Sequence, residues 1–231
     1  MKRTAGIVFL ALAFCTAALA QNDSYKQSLI KQFPFYNVAK GLFAPVYPAT
    51  AKQLVEDYGI TKGVCVDVGG AEGSLAIALA KITDLTVYVL DLSPAAVRLC
   101  NIETDEAGLT GRVRAVEGDA QHLPFRNNFA DLVVSRNSLF EWPDKLAGIR
   151  EAYRILKPGG VAYMGGGFSR ELDKETLAKL VQNAEKKRAE KPGSWVDMDP
   201  GIVDQAKAAG VKSIRLIQGP TAFDWWLEIR K

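Results

Sequence analysis

The sequence predicts an α/β fold: a doubly wound, mostly parallel seven-stranded sheet closed by a C-terminal antiparallel hairpin, with an N-terminal helical cap. Three observations carry this expectation. From Val64 onward, short apolar runs alternate with segments of helical pattern, which is how a parallel sheet covered on both faces is written. The runs Val64-Cys65-Val66 and Val87-Tyr88-Val89-Leu90 are nearly continuous in apolar character, as strands buried on both sides are. Two final β-type runs, 212–218 and 222–230, are joined only by Gly219-Pro220-Thr221, a joint that suits antiparallel neighbours and is too short for a crossover.

In chain order, Met1-Lys2-Arg3 opens a stretch that carries no charge from Ala5 to Ala20 and ends in the small residues of Ala18-Leu19-Ala20. That is the pattern of a secretory signal cut after Ala20. It divides the chain into a signal peptide at 1–20, a helical cap at 21–60 and the sheet domain at 61–231. The expected location is outside the cytosol, in a periplasm, with no stable membrane anchor after cleavage. The cap is broken by Pro34, Pro45 and Pro48 and carries Phe33, Phe35, Tyr36, Phe43, Tyr47 and Tyr58. Strands are expected at 64–68, 86–90, 112–117, 130–134 and 160–164, with helices at 74–82, 94–107, 144–156 and 171–189. Ser93-Pro94 reads as an N-cap with proline in the first helical position, and Pro158-Gly159-Gly160 as a helix end that opens a strand.

Composition narrows the function. Of 231 residues, 48% are apolar and 24% charged, a globular balance that excludes a disordered chain or a coiled-coil rod. Lysine plus arginine number 29 against 26 acids; without Lys2 and Arg3 the balance is 27 against 26, which offers nucleic acid no electrostatic footing. Three cysteines and one histidine argue against a disulfide scaffold or a structural metal cluster.

The informative stretch is Asp67-Val68-Gly69-Gly70-Ala71-Glu72-Gly73-Ser74. A strand ends in an acid and turns through glycines into a helix. Glycine permits the tight turn and the close approach of a ligand to the backbone. The next strand also ends in an acid, Asp91, placed to accept from ribose hydroxyls. A nicotinamide oxidoreductase wants glycine where Ala71 and Ser74 stand, which disfavours that reading. An acid before the turn suits a cationic amino-acid group better than a pyrophosphate.

With these residues the chain resembles the class I S-adenosylmethionine-dependent methyltransferases, in the branch similar to quinone C-methyltransferases. Matching segments follow in order: Asp67 to Gly73, Leu90-Asp91-Leu92-Ser93-Pro94, Gly118-Asp119-Ala120 through Phe125, Asp131-Leu132-Val133-Val134-Ser135, and Arg154 through Gly160. The resemblance implies S-adenosyl-L-methionine as cofactor and a small-molecule methyl acceptor as partner. Its cofactor-binding positions are Asp67, Gly69, Gly70, Ala71 and Gly73 for the methionine portion and Asp91 for the ribose. Leu92, Asp119 and Ala120 fall at the adenine, and Ser135 beside the cofactor. Tyr36, Tyr47, Arg136 and Asn137 are the acceptor-site candidates, and Arg136 equally suits the cofactor carboxylate. No catalytic base is assigned. Glu141 reads first as a cap of the helix that follows it, Trp142 as core and the lone His122 as structural. The alternative function is an exported, non-catalytic binder of S-adenosylmethionine, S-adenosylhomocysteine or another nucleoside.

Overall fold

A computed structural model describes residues 22–190, 199, 201–222 and 224–231; the expected signal at 1–20 lies outside them. A helix over residues 22–32 (α1) is followed by α2 (Phe35–Lys40) and α3 (Val46–Tyr58). Then come β1 (Lys62–Val68), α4 (Ser74–Ile82), β2 (Asp84–Asp91), α5 (Pro94–Glu106), β3 (Val113–Glu117) and β4 (Ala130–Arg136). After a 3₁₀ turn at Leu139–Glu141 the chain forms α6 (Lys145–Ile155), β5 (Leu156–Gly166), α7 (Lys174–Glu190), α8 (Ile202–Ala208), β6 (Ser213–Gln218) and β7 (Trp225–Arg230).

The seven strands form one sheet in the order β3-β2-β1-β4-β5-β7-β6. β1 pairs in parallel with β2 and β4, and β7 runs antiparallel to both β5 and β6. Strand alternation sends successive β1 side chains to opposite faces. Cys65 enters a core with α3 and α4 residues such as Leu54, Leu75 and Leu79. Val66 and Val68 enter the other core, with Ile149 and Ile155 of α6 and Ala206 of α8. The near-continuous apolar strands are thus explained by helices on both faces.

Helix boundaries follow local chemistry. The Ser93 hydroxyl accepts from Ala96 N–H at 3.3 Å with proline at the first helical position of α5. Gly59, left-handed at φ 65°, ends α3. α6 is capped by Asp144, whose Oδ1 accepts from Ala147 N–H at 2.9 Å. Glu141, the residue expected to cap it, lies exposed in the 3₁₀ turn instead. Trp142 is buried and fills the space above Gly148, as expected of a core residue.

The strands run past the expected limits, because backbone pairing outlasts the apolar run: β2 pairs from Asp84 and β5 from Leu156. A register shift between Ala130 and Leu132 absorbs the extra residues around Pro158-Gly159. α8 was not legible in the sequence, being 7 residues with only Ile202 and Ala206 buried.

α1 and α2 lie against α5. Leu29, Ala95 and Leu99 form a small apolar cluster with Phe33 and Tyr36 around it. Ion pairs tie the same contact: Lys26 Nζ lies 2.7 Å and Lys40 Nζ 2.6 Å from the Glu103 carboxylate, and Tyr36 Oη donates to it at 2.5 Å.

Candidate active site

The sheet order reverses direction between β1 and β4, so the carboxyl ends of β1, β2 and β4 open onto one crevice, the usual ligand position of such sheets. The turn after β1 is built from alternating left-handed residues: Gly69 at φ 69°, Ala71 at 54° and Gly73 at 83°. Gly69 and Gly70 donate their N–H groups to Leu90 O at 2.7 and 3.2 Å, which binds the turn to the end of β2. A side chain at Gly70 would come within 2.7 Å of the Asp67 carboxyl carbon, and one at Gly73 within 2.6 Å of Cys100 Sγ. Ala71 is the strained member. A left-handed L-residue costs about 1–2 kcal/mol, partly offset because Ala71 N–H donates to Asp91 Oδ2 at 2.9 Å.

Three charged groups converge beside this turn. Asp67 is 2% exposed, Glu72 1% and Arg136 9%, and all three line one pocket with Tyr47, Phe35 and the Gly69–Ala71 backbone. Each keeps a buried polar atom without a hydrogen-bond partner: Asp67 Oδ2, Glu72 Oε2 and Arg136 Nε. Buried polar groups are nearly always satisfied, so three orphans on residues that line one pocket mark a place for a charged ligand. Burial, reinforced by the Glu72 and Asp91 carboxylates, pushes the Asp67 carboxyl up to about 8, against the pull of Arg136. Burial also raises Glu72, opposed by the Ser74 hydroxyl, which donates to Glu72 Oε1 at 2.5 Å. The Arg136 guanidinium is lowered by desolvation. It lies 5.3 Å from the Phe43 ring centre and 5.4 Å from that of Tyr47, and donates to Gly167 O at 3.2 Å.

Asp91 ends β2 beside the turn and accepts from Ala71 N–H and Ser93 N–H, each at 2.9 Å. It braces the loop as well as facing the crevice end. Leu92 follows it with 72% exposure, an apolar surface left open at that edge. Asp119 accepts from Gln121 N–H at 2.8 Å, which lowers its carboxyl, and Ala120 beside it is nearly buried.

Ser135 is fully buried in a relay: its hydroxyl and that of Ser138 are 2.7 Å apart, and Ser138 Oγ donates to Val68 O at 2.9 Å. Its visible work is to fix the turn after β4 to the end of β1. Asn137 is exposed at φ 60°, with its N–H on Gly165 O at 2.6 Å. Tyr36 faces Glu103 of α5, and the pocket takes its neighbour Phe35 instead. His122 is on the surface, its side chain 87% exposed. Glu72 is the residue missed from the sequence. As a polar residue in a glycine turn it reads as solvated, and only its burial reveals it.

A glycine-turn crevice with an acid at the end of two neighbouring strands, in this strand order, defines the class of Rossmann-like folds that hold a nucleoside cofactor. A family model described as a methyltransferase domain matches residues 66–164. A solved structure from Methanococcus maripaludis, proposed to be an S-adenosyl-L-methionine-dependent methyltransferase, is 33% identical at a TM-score of 0.74, covering 89% of this chain and 93% of that one. The chain belongs to the S-adenosylmethionine-dependent methyltransferases. Among curated relatives, the 2-methyl-6-phytyl-1,4-hydroquinone methyltransferase of Spinacia oleracea is 41% identical over 102 residues, 44% of this chain and 28% of that protein. The demethylmenaquinone methyltransferase of Staphylococcus aureus is 32% identical over 111 residues, 48% and 46%. The matches thus span less than half the length of these two relatives.

The residues present fit the family's cofactor. S-adenosylmethionine carries a carboxylate, an ammonium and a sulfonium, and the pocket offers a guanidinium and two carboxyls with unsatisfied atoms.

Proposed function

We propose that this protein transfers a methyl group from S-adenosylmethionine to a small-molecule acceptor. The observation that carries the reading is the orphaned triad of Asp67, Glu72 and Arg136 at the glycine turn. Arg136 holds the carboxylate end of the cofactor, as a buried guanidinium beside two aromatic rings is suited to do. Asp67 takes the ammonium, whose charge favours the ionised form of the carboxyl. The carboxylate of Asp91 and the apolar side chain of Leu92 receive the ribose and adenine, with Asp119 and Ala120 beyond them. The bound cofactor supplies an electrophilic methyl group, so the protein's task is alignment of the acceptor.

Phe35 and Tyr47 give the pocket wall an apolar, aromatic character, which suits a ring compound. The hydroquinone and menaquinone names of the two relatives point the same way. No side chain here is given the role of base; an acceptor that ionises readily, such as a hydroquinone, needs little help.

The signal-like pattern of residues 1–20 supports an exported protein, and the cofactor is made in the cytosol, which favours a second reading: a non-catalytic binder. Incubation with methyl-labelled S-adenosylmethionine and a panel of phenols and hydroquinones separates the two. Acceptor-dependent transfer of label supports the enzyme. Cofactor binding with no transfer to any acceptor supports the binder. N-terminal sequencing of the protein from its native host tests export, with Gln21 the expected first residue.

A further inference from the structure

The pocket holds one carboxyl more than a zwitterion needs. One guanidinium and one carboxyl, Arg136 and Asp67, suffice for the carboxylate and ammonium of a methionine tail. Glu72 is the surplus. It lines the pocket and is 1% exposed, its Oε1 is engaged by Ser74, and its Oε2 is buried without a partner. Lys40 acts on it electrostatically but forms its ion pair with Glu103, at 2.6 Å. A buried carboxyl oxygen with no hydrogen-bond or ion-pair partner is costly, so its place on a residue of the pocket wall points to a cation arriving with the ligand.

We propose that Glu72 matches the extra positive charge of S-adenosylmethionine and so biases the pocket toward the sulfonium cofactor over its product, S-adenosylhomocysteine. S-adenosylmethionine carries a net charge of one; the product, having lost the methyl group and with it the sulfonium charge, is neutral overall. With Asp67 and Glu72 ionised against Arg136, the triad is complementary to the charged form. Loss of the methyl group then leaves Glu72 unmatched and favours release of the spent cofactor. Charge attraction across a partly dry pocket is the kind of term that separates ligands of nearly identical shape.

This inference rests on the methyltransferase reading, and one set of titrations tells the two apart. Wild type, Glu72→Gln and Glu72→Asp are titrated calorimetrically with S-adenosylmethionine, S-adenosylhomocysteine and sinefungin, an analogue with an amine in place of the sulfonium. Glutamine keeps the shape and the acceptor for Ser74 while removing the charge. The expected result is a loss of about tenfold for S-adenosylmethionine and sinefungin in Glu72→Gln, with S-adenosylhomocysteine changed by less than about threefold. Glu72→Asp, which keeps the charge, is expected to preserve most of the wild-type preference. Equal weakening of all three ligands, or an aspartate variant that behaves as the glutamine one, assigns Glu72 to packing and overturns the proposal. Wild type that binds none of the three overturns the methyltransferase reading together with it.

Discussion

Asp67→Asn separates a ligand-binding charge from a structural one. The Asp67 carboxyl is 2% exposed and pushed from its ordinary 3.8 to about 8 by burial and by its acidic neighbours. An acid whose folded pKa is raised takes up a proton on folding between those two values. Its favourable contribution is complete below about pH 4 and is lost as pH rises toward 8. Each unit of separation corresponds to about 1.4 kcal/mol, so the span has an upper limit of about 6 kcal/mol. Water entry and relaxation reduce it, and about 2–3 kcal/mol is expected. Asparagine is isosteric and does not titrate. The assay is urea denaturation of the ligand-free protein, wild type and Asp67→Asn, at pH 5 and pH 8.5. Wild type is expected to lose about 2–3 kcal/mol more than the variant over that interval. Parallel pH profiles for the two proteins would refute the claim that Asp67 is an uncompensated buried acid.

Three further predictions follow from the turn and the cap. Ala71→Gly relieves a left-handed residue at φ 54° and raises the melting temperature by about 2 °C, the gain reduced by glycine's looser unfolded state; a fall in thermal melting would contradict the strain. Gly70→Ala places a methyl 2.7 Å from the Asp67 carboxyl and 2.8 Å from Val89 Cγ1 and costs about 1–3 kcal/mol by urea titration; no loss would mean that the turn adapts. Glu103→Gln removes the shared partner of Lys26 and Lys40 and loosens the seating of α1 and α2 on α5. Faster amide exchange confined to residues 22–40 is expected, corresponding to about 1–2 kcal/mol of local stability; unchanged exchange would show that the apolar cluster around Leu29 suffices.

Much of the fold was legible because both faces of the sheet are covered: strands such as Val64-Cys65-Val66 then have no choice of pattern, and a glycine turn after an acid has few structural meanings. The conformation of Ala71 was not legible, since an alanine in the turn points to negative φ, and only the structure shows it held left-handed with its N–H on Asp91. Which of Phe35 and Tyr36 lines the pocket was not legible, because α2 has 6 residues and a helix that short does not set its phase by periodicity. Glu141 and Asp144 were exchanged for a similar reason, as either acid fits the cap of α6 by composition and only backbone geometry selects Asp144. Ser135, read as a cofactor neighbour, spends its hydroxyl on Ser138. Burial of a charge is the feature sequence pattern conveys least, which is why Glu72 emerged only from its surroundings. Asp91 shows the converse: its place was legible, but its service to Ala71 and Ser93 means that replacing it disturbs the loop as well as any ribose contact.

The most direct test of the account is calorimetric titration of the chain from Gln21 with S-adenosylhomocysteine, comparing wild type with Arg136→Met. Methionine keeps much of the apolar contact with Phe43 and Tyr47 but removes the guanidinium, whose Nε is buried without a partner. The account predicts a dissociation constant of about micromolar order for wild type and a loss of at least about tenfold in the variant, with both proteins folded by circular dichroism. Absence of binding by the folded wild type, or equal affinity in the two proteins, would contradict the assignment of this pocket to the cofactor.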